Sequence, residues 1–135
     1  MANDAPEQRR TVRRLVGVYN ADGSLIGELA YFVGARFGRA HCALCDITHG
    51  LVRSKQEWRA RRDRLPVPFD TYHRDDQPDA VRHVCDGPPF VCAETDDGFE
   101  LLIDSAELEE CHGSVEELAT RINRAVARAA LRWPA

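Results

Sequence analysis

Pro88-Pro89-Phe90-Val91-Cys92-Ala93-Glu94-Thr95-Asp96-Asp97-Gly98-Phe99-Glu100-Leu101-Leu102-Ile103 reads as a β-hairpin with a proline at its threshold. Two mainly apolar runs, Phe90–Thr95 and Phe99–Ile103, flank Asp96-Asp97-Gly98. That turn cluster fits a hairpin because tight hairpin turns need positive φ angles, which glycine adopts without penalty. Downstream, Asp104-Ser105-Ala106-Glu107 can cap a single helical turn. Ser114-Val115-Glu116-Glu117 is a capping box, in which hydroxyl and carboxylate each satisfy a free amide at a helix start. Val115, Leu118, Ile122, Ala125, Val126 and Ala129 then recur at helical spacing. They predict a helix over 115–130, packed on a sheet through Leu118, Ile122 and Val126.

Upstream of the hairpin, residues 74–89 are loop-like, with room for a short element around Val81–Cys85. Val67, Phe69, Thr71 and His73 alternate along one face of a strand. Before it, Ser54-Lys55-Gln56-Glu57 is another capping box, Trp58 and Leu65 give its helix an apolar stripe, and Pro66 and Pro68 end it. Leu25, Leu29, Phe32, Val33 and Phe37 predict an earlier helix, capped by Asp22 or Ser24 and stopped at Gly38. Leu15–Tyr19 is a buried strand ending at the turn Asn20-Ala21-Asp22-Gly23. Residues 1–10 read as a flexible tail and 11–135 as a single α/β domain.

The order is strand, helix, helix, strand, proline loop, hairpin, helix. That is an α/β chain with a mixed sheet flanked by helices. It resembles the skeleton of the thioredoxin-like fold, and Pro89 falls where that fold keeps a cis-proline. A thioredoxin places its dithiol directly after the first strand, whereas here 22 residues separate Tyr19 from Cys42.

A length of 135 residues suits one domain, and 44% apolar with 30% charged residues excludes a disordered or collagen-like chain. Residues 1–64 carry 12 Arg and Lys against 7 Asp and Glu, while residues 65–135 carry 6 against 15. Ten acids fall between Glu94 and Glu117. Such an asymmetry can mark a nucleic-acid face, but no aromatic interleaving accompanies Arg9, Arg10, Arg13 and Arg14, which argues against a nucleic-acid partner. The simpler expectation is acids on one solvated surface and arginines on another. The polar, arginine-rich start and the interrupted apolar stretch Leu25–Ala35 lead us to expect no membrane partner and a cytoplasmic chain. In that compartment the five cysteines should be reduced unless catalytic or metal-bound.

Chemistry concentrates at Cys42-Ala43-Leu44-Cys45. Two thiols at this spacing can close one small disulfide or fill two corners of a tetrahedral metal site. Asp46, Ile47 and Thr48 leave room for a helix starting near Cys42, whose free amides would favour a thiolate. Cys42, Cys45 and His49 form C-x2-C-x3-H, with His73, His83, Cys85, Cys92 or Cys111 as distant further ligands. His73 ends a strand and could act as base, ligand or thiolate partner, oriented by Asp75 or Asp76. Cys92 reads as a small core residue, Cys111 as structural or exposed, and Trp58 as core. The phosphate-loop, dinucleotide, nucleophile-elbow and zincin motifs are absent from the sequence.

Val18-Tyr19-Asn20-Ala21-Asp22-Gly23-Ser24, Cys42–Gly50, Glu57-Trp58 and His73-Arg74-Asp75-Asp76 together resemble an uncharacterised family of small bacterial proteins. Its pattern is YNADSG, CxLCxLTYG, EW and HRDE, and the resemblance covers residues 13–127. It implies that Cys42, Cys45, Trp58 and His73 matter as a group. Some members carry a GTPase label, for which this chain has no phosphate loop. The chain departs at His49, where the family has tyrosine, and at Asp76, where it has glutamate.

Three functions follow as expectations. The first is a thiol-based redox protein, possessing no cofactor, in which Cys42 attacks a protein thiol or disulfide partner, Cys45 resolves, and His73 tunes or deprotonates. The second is a zinc or copper protein with Cys42, Cys45 and His73 as ligands, joined by Asp75 or His49. The third is a protein-interaction module using the acidic surface from Glu94 to Glu117.

Overall fold

A computed structural model describes residues 10–20, 43–48 and 52–135, except for the side chains of residues 46, 48 and 52–54. The expected helix over 25–37, its caps Asp22 and Ser24, Cys42 and His49 lie outside the described residues. In chain order the described elements are β1 (Arg10–Thr11), β2 (Arg14–Tyr19), α1 (Ala43–Thr48), α2 (Val52–Asp63) and β3 (Phe69–His73). There follow α3 (Asp79–Arg82), β4 (Phe90–Thr95), β5 (Gly98–Ile103), α4 (Ser105–Glu109), α5 (Val115–Arg128) and β6 (Leu131–Arg132).

The main sheet has the order β3-β2-β4-β5. β2 pairs parallel with β3 and antiparallel with β4, and β5 closes the hairpin on β4. A central strand covered on both faces has no solvent side, so Leu15–Tyr19 is a continuous apolar run rather than an alternating one. The hairpin forms as its turn residues dictate. Thr95 pairs with Gly98, and Gly98 takes φ +123°. The Thr95 hydroxyl accepts from the Asp97 amide at 3.1 Å and donates to the Gly98 carbonyl at 3.2 Å. The Pro88–Pro89 peptide bond, just before β4, is cis.

The cap at Asp104 forms, and the Ser114 box forms by half: the Glu117 carboxylate bonds Arg121 Nε at 2.8 Å, and the Ser114 amide donates to the Cys111 carbonyl at 2.9 Å. The Asp104 carboxylate accepts from the Glu107 amide at 2.9 Å, and the Ser114 hydroxyl accepts from the Glu117 amide at 3.1 Å. α5 buries Val115, Leu118, Ala119, Ile122, Ala125 and Val126. α2 differs from expectation, since it starts at Val52 and not at the Ser54 capping box. The box lies inside the first turns because the residues before it already continue the helix. The boundary of the expected tail also shifts, for Arg10 pairs with Leu131 across the parallel β1–β6 clasp.

The sheet divides two apolar layers. Leu15, Phe69, Val91, Ala93 and Ile103 face the larger one, with Leu44 and Ile47 of α1, Trp58 of α2 and the apolar face of α5. Val16, Val18, Phe90 and Cys92 face the smaller one, with Val81 of α3 and the half-buried Cys85. Gly17 marks where α1 and β3 crowd β2, since a Cβ there would sit 3.0 Å from both Leu44 Cδ2 and Phe69 Cε1.

The charge asymmetry resolves into pairing across the fold. Arg10 meets Glu100 at 3.1 Å, Arg13 meets Asp96 at 2.9 Å, and Arg14 bonds Glu94 at 2.6 Å and Asp70 at 2.9 Å. Arg121 gathers Glu107, Glu110 and Glu117. The basic N-terminal strands and the acidic hairpin are thus neighbours, not separate surfaces.

Candidate functional site

β2 and β3 run parallel and end together, and their register sets Tyr19 beside His73. The two rings lie 5.8 Å apart, tilted by 41°. Ligand sites in open α/β sheets favour the carboxyl ends of parallel strands, where no helix covers the crevice.

His73 is held by the turn that follows it. Its backbone amide donates to Asp76 Oδ1 at 2.6 Å, and its Nδ1 lies 2.9 Å from Asp76 Oδ2. The Asp76 amide returns a bond to the His73 carbonyl at 3.2 Å. An ionised carboxylate only accepts, so Nδ1 carries the proton of this bond. In the neutral ring Nε2 then keeps its lone pair and can take a proton or a metal. The same hydrogen bond is the main reason why the Asp76 carboxyl titrates below the ordinary aspartate range. Of the two acids considered as orienting groups, the structure puts Asp76 on the ring. Gln77, buried, donates from Nε2 to the Arg74 carbonyl at 3.1 Å, while its Oε1 has no partner among the described residues.

Cys45 lies on α1, half-buried against the larger layer. Cys42 and His49 are outside the described residues, so the expected approach of His73 to both sulfurs falls partly outside them too. Cys85 and Cys92 occupy the smaller layer, on the opposite face of the sheet from Cys45. Burial pushes the Cys92 thiol up to about 12. It pushes Cys111 up to about 11, where Sγ sits 3.7 Å from the Glu107 carbonyl. Both remain neutral thiols at physiological pH and behave as small core residues, as the sequence suggests for Cys92. Exposed His83 caps the C-terminus of α3. Among the described residues, no three His, Cys, Asp or Glu side chains gather as metal ligands would.

A second feature adjoins Tyr19. A cleft of about 170 Å³ between α2 and the β2–β3 pair is lined by Tyr19, Lys55, Trp58, Arg59, Arg62, Phe69 and Thr71. Trp58 stands edge-on to Phe69 at 4.9 Å and 84°. Its burial confirms Trp58 as core. The apolar spacing of Trp58 and Leu65 conceals a cationic stripe on the same helix. Its signal is the spacing i, i+4, i+7 of Lys55, Arg59 and Arg62.

Comparison of the chain with family models, curated proteins and solved structures finds no match. Among the described residues, no helix is long and apolar enough to cross a membrane.

Proposed function

We propose that this chain is a cytoplasmic thiol-based redox protein with a thioredoxin-like core, working through Cys42 and Cys45. The observation that carries this reading is the sheet. A parallel β2–β3 pair, with β4 antiparallel beside β2 and β5 at the edge, resembles the strand arrangement of that fold and supports the reading. Cys45 of the C-x2-C pair lies on α1, which packs against β2. His73 supports the reading as an imidazole whose Nδ1 is oriented by Asp76.

The reaction is thiol–disulfide exchange with a partner protein. The Cys42 thiolate attacks the partner's disulfide, forming a mixed disulfide and releasing one partner thiolate, which takes a proton. The Cys45 thiolate then attacks Cys42 Sγ and releases the second partner thiolate. The partner gains two electrons and the chain leaves with a Cys42–Cys45 disulfide.

The test is alkylation rate against pH, read site by site by mass spectrometry, with metal content measured on the same protein. The expected result is metal-free protein in which Cys42 reacts with an apparent pKa well below the free-cysteine value of about 8.5. Cys92 and Cys111 should stay unmodified until the chain is unfolded, because burial keeps their thiols neutral. Cys45→Ser should trap mixed disulfides through Cys42, and Cys42→Ser should trap none. Stoichiometric zinc or copper that is lost in His73→Ala would overturn the redox reading in favour of metal binding. Slow thiols without metal would return both cysteines to the core.

A further inference from the structure

The geometry points to a phosphate-binding site in the cleft between α2 and the β2–β3 pair. Three cations face it, Lys55, Arg59 and Arg62, and among the described residues no acid lines it. One turn of α-helix is 3.6 residues, so these positions form a single stripe, while Glu57 lies about 160° around the helix from Arg59. Among the described residues Lys55 and Arg59 make no ion pair, and Arg62 reaches only its neighbour Asp63, at 3.5 Å.

This arrangement works against the helix. Like charges at i and i+4 repel, and a cation in the first turns opposes the helix dipole. Other arginines of the fold are neutralised. Arg14 has two carboxylates and Arg121 three. In a chain of net charge −4, an uncompensated stripe over a concave surface is a place for an anion from outside.

The chemistry of the lining selects phosphate over a simple carboxylate. Two guanidinium forks match oxygens on a tetrahedral anion, and three positive charges suit a doubly charged group better than a single one. The hydroxyl-bearing side chains of Tyr19 and Thr71 line the opposite wall, on β2 and β3. The cleft, about 170 Å³, is small beside the roughly 300–1,000 Å³ of sites for drug-sized ligands. It therefore takes inorganic phosphate or the phosphoryl end of a small monoester. The proposal does not rest on the redox reading.

Isothermal titration with inorganic phosphate, at low ionic strength and against matched chloride, tests it. The expected result is saturable one-to-one binding. Arg59→Gln and Lys55→Gln should each weaken it by about tenfold or more, as loss of a charge-assisted bond does. Arg124→Gln, an exposed arginine on α5, should leave it unchanged. Circular dichroism of each variant checks that the fold is retained. Phenyl phosphate binding at least tenfold tighter than phosphate identifies a monoester ligand, and equal affinity identifies free phosphate. The Cys42→Ser, Cys45→Ser double variant should bind as the wild type does, which separates this site from the thiol chemistry. Absence of saturation at tens of millimolar phosphate, equal binding by chloride, or undiminished binding by folded Arg59→Gln would overturn the proposal.

Discussion

His73 and Asp76 form a unit small enough to test by one atom's change. The Asp76 carboxyl titrates below its usual value of 3.8 in the folded chain, chiefly through its hydrogen bond to His73. A depressed folded pKa means that the carboxylate stabilises the fold above the unfolded value, and that this contribution is lost as pH falls through the folded value. Asp76→Asn should therefore lower stability near neutral pH and converge with the wild type as pH falls through the folded value, once both side chains are uncharged. The carboxylate is half exposed, so the difference should stay below about 1 kcal/mol. Urea titrations of both proteins over a falling pH series measure it. At this scale the sequence was legible for chemistry and silent on geometry. His73 was identifiable from its place at a strand end, but choosing Asp76 over Asp75 depended on the curl of the turn. The Lys55, Arg59 and Arg62 stripe was present in the letters, yet its meaning required the concave wall supplied by β2 and β3.

Elements whose signals are local were the ones the sequence disclosed. The hairpin around Gly98 and the side-chain caps of Asp104 and Ser114 need only a few consecutive residues, and these formed, while the carboxylate half of the Ser114 box went to Arg121. β1 and β6 were illegible, because two-residue strands carry no periodicity and their partner lies at the far end of the chain. The Ser54 box misled because a capping pattern is necessary for neither a start nor an end when flanking residues are also helical. Element-scale predictions follow from burial. Ile122 is 1% exposed on the core face of α5, so Ile122→Ala should cost about 2–5 kcal/mol, while Ser114→Ala should cost about 1 kcal/mol for one lost cap bond. A loss below half of the smaller figure at Ile122 would mean that α5 does not pack on the sheet. Gly17→Ala is a different kind of change. Its methyl would press on Leu44 and Phe69, and overpacking of this sort should cost about 1–3 kcal/mol. Chemical denaturation of the three variants ranks these effects.

The whole molecule is knit by contacts far apart in sequence. Arg14 bonds residues 56 and 80 positions away, and Arg132 bonds Thr11 across 121. Non-local pairing of this kind slows folding, since loops must close before the pairing repays their entropy. Refolding followed by tryptophan fluorescence in stopped flow should take milliseconds to seconds. A microsecond relaxation would show that local helices, not the sheet, govern the barrier. The central strand also has a history on the ribosome. At about 5–20 residues per second, the partner 80 positions downstream emerges roughly 4–16 s after β2. During synthesis Leu15-Val16-Gly17-Val18-Tyr19 is an uncharged, β-prone ribbon with an unclaimed edge, the kind of segment that recruits other nascent chains. Arg13 and Arg14 stand directly before it. They act first as gatekeepers that repel a neighbouring copy, and only later, once the hairpin has been made, as the cations that Asp96 and Glu94 receive.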